Sequence, residues 1–200
     1  MAANARLAEA HRLAQARIGA QTVKEVLAVS KLLDPTDLPG SFRTWLTVLV
    51  PLISRQRSVS ARTAANYLTT HRALVLGIGT QTPVLAEQLP VEAFTTSMVV
   101  CGPATIRRLT GSGSTIENAV RVAQVRTSRA AMRHALNGGR ETITQTVAAD
   151  RRASGWERVT SGAPCAFCAG LAGLTFAAEE SASFECHDGC SCSAEPVYGN

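Results

Sequence analysis

The sequence predicts a mainly α-helical protein that ends in a small cysteine-rich α+β module. Two observations support this prediction. Apolar residues recur at helical spacing in long segments before residue 153. Beyond that residue the helical period disappears, and five of the six cysteines lie within residues 165–192. We therefore divide the chain into an N-terminal helical region (1–78), a central helical region (91–152) and a cysteine-rich module (153–200).

The N-terminal region is predicted to contain three helices. The first covers residues 3–33, and the run of turn-forming residues at 34–40 ends it. Ser41 is expected to cap the second helix, because a serine hydroxyl accepts a hydrogen bond from the free amides of a first turn. Pro51 is expected to kink that helix or end it early, since proline lacks an amide donor. A third helix is predicted over 58–76.

The central region follows a segment with two glycines and two prolines, residues 77–90, which is predicted to be a loop or hinge. A helix is predicted over 91–109, although Gly102 and Pro103 weaken the pattern. The spacing of Ser114 and Glu117 is that of a capping box, which predicts the start of a strong helix. Its end is predicted at Asn137-Gly138-Gly139, residues that tolerate positive φ, with a further short helix over 141–152.

The module carries the pattern Cys-x-x-Cys followed by His-x-x-Cys-x-Cys. Two thiolates separated by two residues can bind one tetrahedral ion, and zinc prefers thiolate and imidazole ligands. A module of this size buries little core, so a structural zinc ion would supply much of its folding energy. Cys186 is the least suitable donor, because it adjoins His187. The candidate ligands are Cys165, Cys168, His187, Cys190 and Cys192. Of these, Cys190 and Cys192 compete for one position.

The cysteines allow three other interpretations. They are free thiols clustered by chance, disulfides formed under oxidising conditions, or a thioredoxin-like redox pair. The redox pair is disfavoured because no βαβ pattern surrounds Cys165. The sequence has no secretory signal and no apolar window of about 18 residues. We therefore expect a reducing compartment and no membrane partner.

Other residue types give weaker indications. His11 and His71 are expected on helix surfaces, and His134 is expected to pack on an apolar helix face rather than to act in catalysis. No nucleophile elbow or complete dinucleotide loop is present. The net charge of +5 permits contact with nucleic acid. The module itself is acidic, because Arg158 is its one basic residue against Glu157, Glu179, Glu180, Glu185, Asp188 and Glu195.

Four sequence strings resemble the MuF-like minor head proteins of tailed bacteriophages, in the versions found in actinobacterial phages and prophages. Two lie in the module or begin just before it, A-D-R-R-A-S-G-W-E-R-V-T-S-G-A-P-C-A-F-C-A-G-L-A and F-E-C-H-D-G-C-S-C-S-A-E-P-V-Y. Two lie upstream, V-V-C-G-P-A-T-I-R-R-L-T-G and R-H-A-L-N-G-G-R-E-T-I. The resemblance covers about residues 97–198, and the N-terminal third fits in character only. In this resemblance the family's Cys-x-x-Cys pair corresponds to Cys165 and Cys168. Its His-x-x-Cys-x-Cys string corresponds to His187, Cys190 and Cys192.

The resemblance implies a structural, non-enzymatic protein of head morphogenesis. Such a protein lies inside the phage head, associates with the portal and major capsid proteins, and in some cases contacts the packaged DNA. During assembly it would be in the host cytoplasm. Two alternatives stay open: a zinc protein that binds nucleic acid during DNA packaging or ejection, and a capsid maturation hydrolase.

Overall fold

A computed structural model describes residues 3–77, 81–160, 164–178 and 184–199 of the chain. It confirms the predicted fold class, because long helices are followed by a small three-stranded sheet. The helices are α1 (Ala3–Val29), α2 (Leu38–Leu76), α3 (Val91–Cys101), α4 (Pro103–Gly111), α5 (Ile116–Ala149) and α6 (Ala166–Gly170), with a 3-10 turn at Ser30–Leu32. The strands are β1 (Ala153–Val159), β2 (Thr175–Ala177) and β3 (Ser193–Tyr198).

Helix α2 begins earlier than predicted, and its cap is Asp37 rather than Ser41. The Asp37 side chain accepts a hydrogen bond from the backbone amide of Gly40 at 3.0 Å. Pro39 lies in the first turn, where a missing amide costs nothing because that amide would have no helical partner. The Ser41 hydroxyl instead donates to the Asp37 carbonyl at 2.8 Å. The expected cap is thus part of the first turn of the helix.

The two helices predicted on either side of Pro51 form one continuous helix, α2. A proline in a helix interior costs about 3 kcal/mol, because it removes a hydrogen bond and crowds the preceding turn. Trp45, Leu49 and Ile53, which flank the proline, are almost completely buried. Burial of side chains of this size contributes about 1.5–3 kcal/mol each, which offsets the cost and keeps the chain helical through Pro51.

Helix α5 is likewise longer than predicted. Thr115, not Ser114, caps it, because the Thr115 side chain accepts from the amide of Asn118. It also continues through Gly138 and Gly139, where an end was predicted, and absorbs the short helix expected at 141–152 as far as Ala149. In α5 the two glycines allow neighbouring helices to approach closely; they do not serve to adopt a positive φ.

The neighbours of the two glycines show why they are needed. A Cβ atom on Gly138 would overlap the carbonyl oxygen of Arg57 in α2. A Cβ atom on Gly139 would lie 2.7 Å from both Gln15 Nε2 and Ser60 Oγ. Helices α1, α2 and α5 therefore approach each other closely at this point.

The predicted helix over 91–109 is divided at Gly102 into α3 and α4. The segment before it, described from residue 81, has no regular structure, as predicted, but it is bound to the helices. The amide of Val84 donates to Thr146 Oγ1 at 2.9 Å, and the amide of Ala86 donates to Thr142 Oγ1 at 3.0 Å. The segment therefore lies along α5.

The module packs directly on the helices. In the sheet, β1 is central and pairs antiparallel with both β2 and β3, and Trp156 lies opposite Phe176 on one side and Pro196 on the other. One cluster of buried side chains joins α2, α5 and the module; it includes Tyr67, Ile143, Trp156, Cys168 and Ala194. The strand β1 begins at Ala153, and the division into regions 1–78, 91–152 and 153–200 stays a prediction.

Two of the three histidines on the long helices differ from expectation. His11 and His71 are buried rather than exposed. His11 stacks on Tyr67 at 4.3 Å between ring centroids, and His71 stacks on Tyr198 of β3 at 5.9 Å. The sheet covers faces of α1 and α2 that helical spacing alone marks as polar. His134 is buried against Phe94, as predicted. Within the described residues, no helix combines the length and apolarity needed to cross a membrane.

We predict that Gly138→Ala lowers the free energy of unfolding by about 2 kcal/mol, because the added methyl group overlaps the Arg57 carbonyl and forces α2 and α5 apart. Urea denaturation measures the change. Gly111→Ala is the matched control, since a Cβ atom there meets nothing within 4 Å. The control should be neutral or slightly stabilising. Equal stability of the two variants would contradict the close approach at Gly138.

Candidate metal centre

The first pair of cysteines is held by the short helix α6. Cys165 is the residue before the helix, and its Sγ accepts a hydrogen bond from the amide of Cys168 at 3.5 Å. The Cys165 carbonyl also accepts from the amide of Ala169 at 2.8 Å. This single turn places both sulfur atoms on the same side of the backbone. Cys168 is buried and Cys165 is exposed.

The second set of donors lies on a turn between Phe184 and β3. The His187 carbonyl accepts from the amide of Cys190 at 3.1 Å, which closes the turn. Gly189 has a φ of 80°, a value that favours glycine. Its amide donates to the Arg129 carbonyl of α5 at 3.1 Å. The turn is thus attached to the longest helix of the central region.

All five predicted donors converge. The ligand atoms of Cys165, Cys168 and His187 lie within 4.8 Å of one another, and so do those of Cys168, Cys190 and Cys192. Cys168 belongs to both groups. Its Sγ is 3.7 Å from Cys190 Sγ and 3.9 Å from His187 Nε2, and Cys165 Sγ is 3.0 Å from the same nitrogen.

These distances fit a shared ion. Sulfur ligands at about 2.3 Å from a tetrahedral metal lie about 3.8 Å apart, close to the Cys168–Cys190 separation. The five residues could therefore hold a metal ion. Cys186 lies outside both groups, as expected, and its Sγ instead donates to Asn137 Oδ1 at 3.2 Å. Cys101 is buried in the helical core.

Local hydrogen bonds favour the thiolate form at two of the cysteines. A hydrogen bond from Cys192 and the charge of Arg140 lower the pKa of Cys190 to about 4. The amide of Cys168 lowers the pKa of Cys165, whereas burial raises the pKa of Cys168. A thiolate is the form that binds a metal, so the environment of Cys190 and Cys165 suits a ligand role.

Arg140 of α5 was not among the predicted site residues. It is buried, and it donates to the carbonyl of Cys190 at 2.7 Å and to that of Cys192 at 2.9 and 3.0 Å. It also donates to Asn137 Oδ1 at 2.8 Å and to Cys186 Sγ at 3.3 Å. One guanidinium group therefore fixes the backbone of both cysteines that compete for the last ligand position.

Arg158 of β1 supports the centre from the other side. It is buried, and its guanidinium carbon lies 3.8 Å from the centroid of the Phe184 ring. It donates to the Glu185 carbonyl at 2.5 Å, and one of its nitrogens is 3.8 Å from Cys168 Sγ. Within the described residues, neither Arg140 nor Arg158 forms a salt bridge with a carboxylate.

Comparison with known proteins assigns the chain to a protein family. The family model described as VG15 protein matches residues 1–200. The chain belongs to the VG15 protein family. This family indicates a bacteriophage protein. No curated protein and no solved structure matches the chain.

Sequence patterns could not identify the two supporting arginines of this VG15 family member. Spacing selected the five residues whose ligand atoms form the two groups. Arg140 and Arg158 contact the centre through backbone carbonyls and ring faces, which leave no motif.

We predict that Arg140→Ala lowers the free energy of unfolding by roughly 3 kcal/mol, because the carbonyls of Cys190 and Cys192 are left buried without donors. The free energy of unfolding of Arg140→Lys should lie between that of the parent and that of Arg140→Ala, since lysine keeps the charge but cannot bridge both carbonyls. Urea denaturation followed by the fluorescence of the two tryptophans, Trp45 and Trp156, measures the change. Arg62→Ala, at an exposed site on α2, is the control and should stay within about 0.5 kcal/mol of the parent. An Arg140→Ala protein as stable as the control would contradict the role assigned to this residue.

Proposed function

We propose that this protein is a minor head protein of a tailed bacteriophage, that it is not an enzyme, and that a structural zinc ion ties its C-terminal module to its helices. The observation that carries the zinc assignment is the pair of buried guanidinium groups beside the thiols. A buried cation without a counter-ion is unstable. Arg57 and Arg72, by contrast, pair with Glu141 and Asp150.

A zinc–thiolate centre supplies negative charge beside these two guanidinium groups, which have no carboxylate partner among the described residues. Zinc bound by three thiolates and one imidazole has a net charge of −1, and four thiolates give −2. Cys168 Sγ lies within reach of Arg158, and Cys190 and Cys192 are held by Arg140. Thiolate and imidazole donors also match the preference of zinc. Four protein ligands leave no position for substrate, which favours a structural role over a catalytic one.

We infer that Cys190 rather than Cys192 completes the set with Cys165, Cys168 and His187. The 3.7 Å separation from Cys168 supports this choice. The turn from His187 to Cys190 also repeats the three-residue spacing of the first pair. Cys192 then donates a hydrogen bond to the thiolate of Cys190.

We predict one zinc ion per chain, measured by elemental analysis of the purified protein. Cys168→Ser should lose most of the zinc, because this sulfur belongs to both donor groups, and the module should lose its cooperative unfolding. Cys186→Ser is the matched control, since Cys186 lies outside both groups and should retain the metal. Zinc-free parent protein with unchanged stability, or equal zinc loss in the control, would contradict the assignment.

Cys190→Ser and Cys192→Ser distinguish the two candidates for the fourth position. We expect Cys190→Ser to release zinc to a chelator at least tenfold faster than the parent, whereas Cys192→Ser should retain it. A colorimetric zinc indicator measures the release. The reverse order would assign the fourth position to Cys192.

The role in the phage head is supported by the VG15 family, which indicates a phage protein, and by the resemblance of residues 97–198 to MuF-like minor head proteins. We expect the protein in purified proheads and virions at low copy, detected by mass spectrometry. We also expect it to be retained by immobilised portal protein. Its absence from both particles would contradict the proposal.

Contact with DNA is the second candidate function, and the distribution of charge favours the helices over the module. Exposed arginines lie on α4 and α5 at Arg107, Arg108, Arg121, Arg126 and Arg129. DNA held by these groups would bind with an affinity that falls steeply with salt, because counterions are released on binding. The third candidate, a capsid maturation hydrolase, would be supported by cleavage of the capsid precursor with purified protein.

A further inference from the structure

A cavity of about 400 Å³ lies between the N-terminal part of α1, the C-terminal part of α2 and the sheet. Its volume lies within the about 300–1,000 Å³ typical of small-ligand sites. The residues that give it chemical character are His71, Glu157, Glu195 and Tyr198, and small residues such as Ala8 line the side formed by α1.

Glu157 and Glu195 face each other across the sheet. They are directly paired in the antiparallel register of β1 and β3. Like charges in this arrangement are destabilising. Neither carboxylate forms a salt bridge within the described residues. The nearby cation, Arg12, is already bound by Glu9, with Arg12 Nε 2.7 Å from a carboxylate oxygen.

His71 supplies an independent indication of a ligand. Its side chain is only 8% exposed, and its Nδ1 has no hydrogen-bond partner. Burial lowers the pKa of His71, so the ring is neutral at physiological pH and offers one acceptor nitrogen. The ring of Tyr198 stacks on it at 5.9 Å and presents an aromatic face beside the two carboxylates.

We propose that this cavity binds the side chain of an arginine from a partner protein. A guanidinium group is planar, carries five donors and stacks on aromatic rings, so it suits two opposed carboxylates beside Tyr198 and the buried imidazole. A metal ion is a poorer occupant. In the described part of the chain, only the two cysteine-containing groups bring three donor atoms within 4.8 Å of one another. The proposal depends neither on the zinc ion nor on the role in the phage head.

The charges around the cavity make its affinity dependent on pH. Burial, together with the charges of Glu157 and Glu9, raises the pKa of Glu195 to about 7, and Arg12 acts in the opposite direction. Tyr67 and His71 on α2 and Tyr198 on β3 are the other titratable groups that lie near this carboxylate. A bound guanidinium group favours ionised Glu195, so binding releases a proton below pH 7. Affinity should therefore rise between pH 6 and pH 8.

The test uses the full-length, isotope-labelled protein and N-acetyl-arginine methylamide, followed by NMR chemical shifts. We expect saturable shifts at the amides of His71, Glu157, Glu195, Val197 and Tyr198. N-acetyl-citrulline methylamide has nearly the same shape without the charge and should bind at least tenfold more weakly. Equal binding of the two compounds, or shifts spread over the surface, would overturn the proposal.

Glu195→Gln separates loss of binding from loss of folding. A raised carboxyl pKa means that the folded state loses stability as pH rises from about 4.5 to 7. Removing the charge should therefore raise the urea midpoint at pH 8, leave it nearly unchanged at pH 4, and weaken arginine binding at pH 8 at least tenfold. Glu117→Gln, at an exposed position on α5, is the control and should bind as the parent does. A Glu195→Gln protein that binds as tightly as this control would rule the site out.

Discussion

The packing of the C-terminal module depends on how two buried positive charges are compensated. Arg140 comes from α5 and Arg158 from β1, and both end beside the cysteines that the two arms of the module bring together. Neither has a carboxylate partner in the described part of the chain. Thiolates beside them can supply this charge compensation, and a metal ion held there would link the module to the helices through electrostatics as well as through apolar contact.

The donor set was predictable from sequence because its information is local. Two residues between Cys165 and Cys168, and two between His187 and Cys190, each allow one turn of backbone to aim two ligands at the same point. The choice between Cys190 and Cys192 was not predictable, because both lie within reach of Cys168. Arg140 was missed for a related reason: its partners are backbone carbonyls distant in sequence, and carbonyls have no residue signature.

The contrast between local sequence information and contacts distant in sequence also explains the errors in the predicted fold. Helical spacing predicted the existence of the long helices, whereas the early end that was one of two outcomes expected at Pro51, and the end predicted at Gly138-Gly139, were wrong. Proline and glycine act on local backbone preference, and here tertiary packing outweighs that preference. Gly139 lies where Gln15 and Ser60 approach α5, a contact between three separate helices. His11 and His71 were misplaced for the same reason, because β3 covers them from the far end of the chain.

With the proposed ion in place, the electrostatic link would make the helices and the module a cooperative unit in unfolding. If the metal left, the thiols would take up protons, and two guanidinium groups would remain in an apolar setting lined by Phe184 and Trp156. Arg158 and Arg140 would then favour exposure to water, although Arg140 lies in the middle of α5, which packs against both α1 and α2. Loss of the ion would consequently destabilise the helical core beneath the module, and not the module alone.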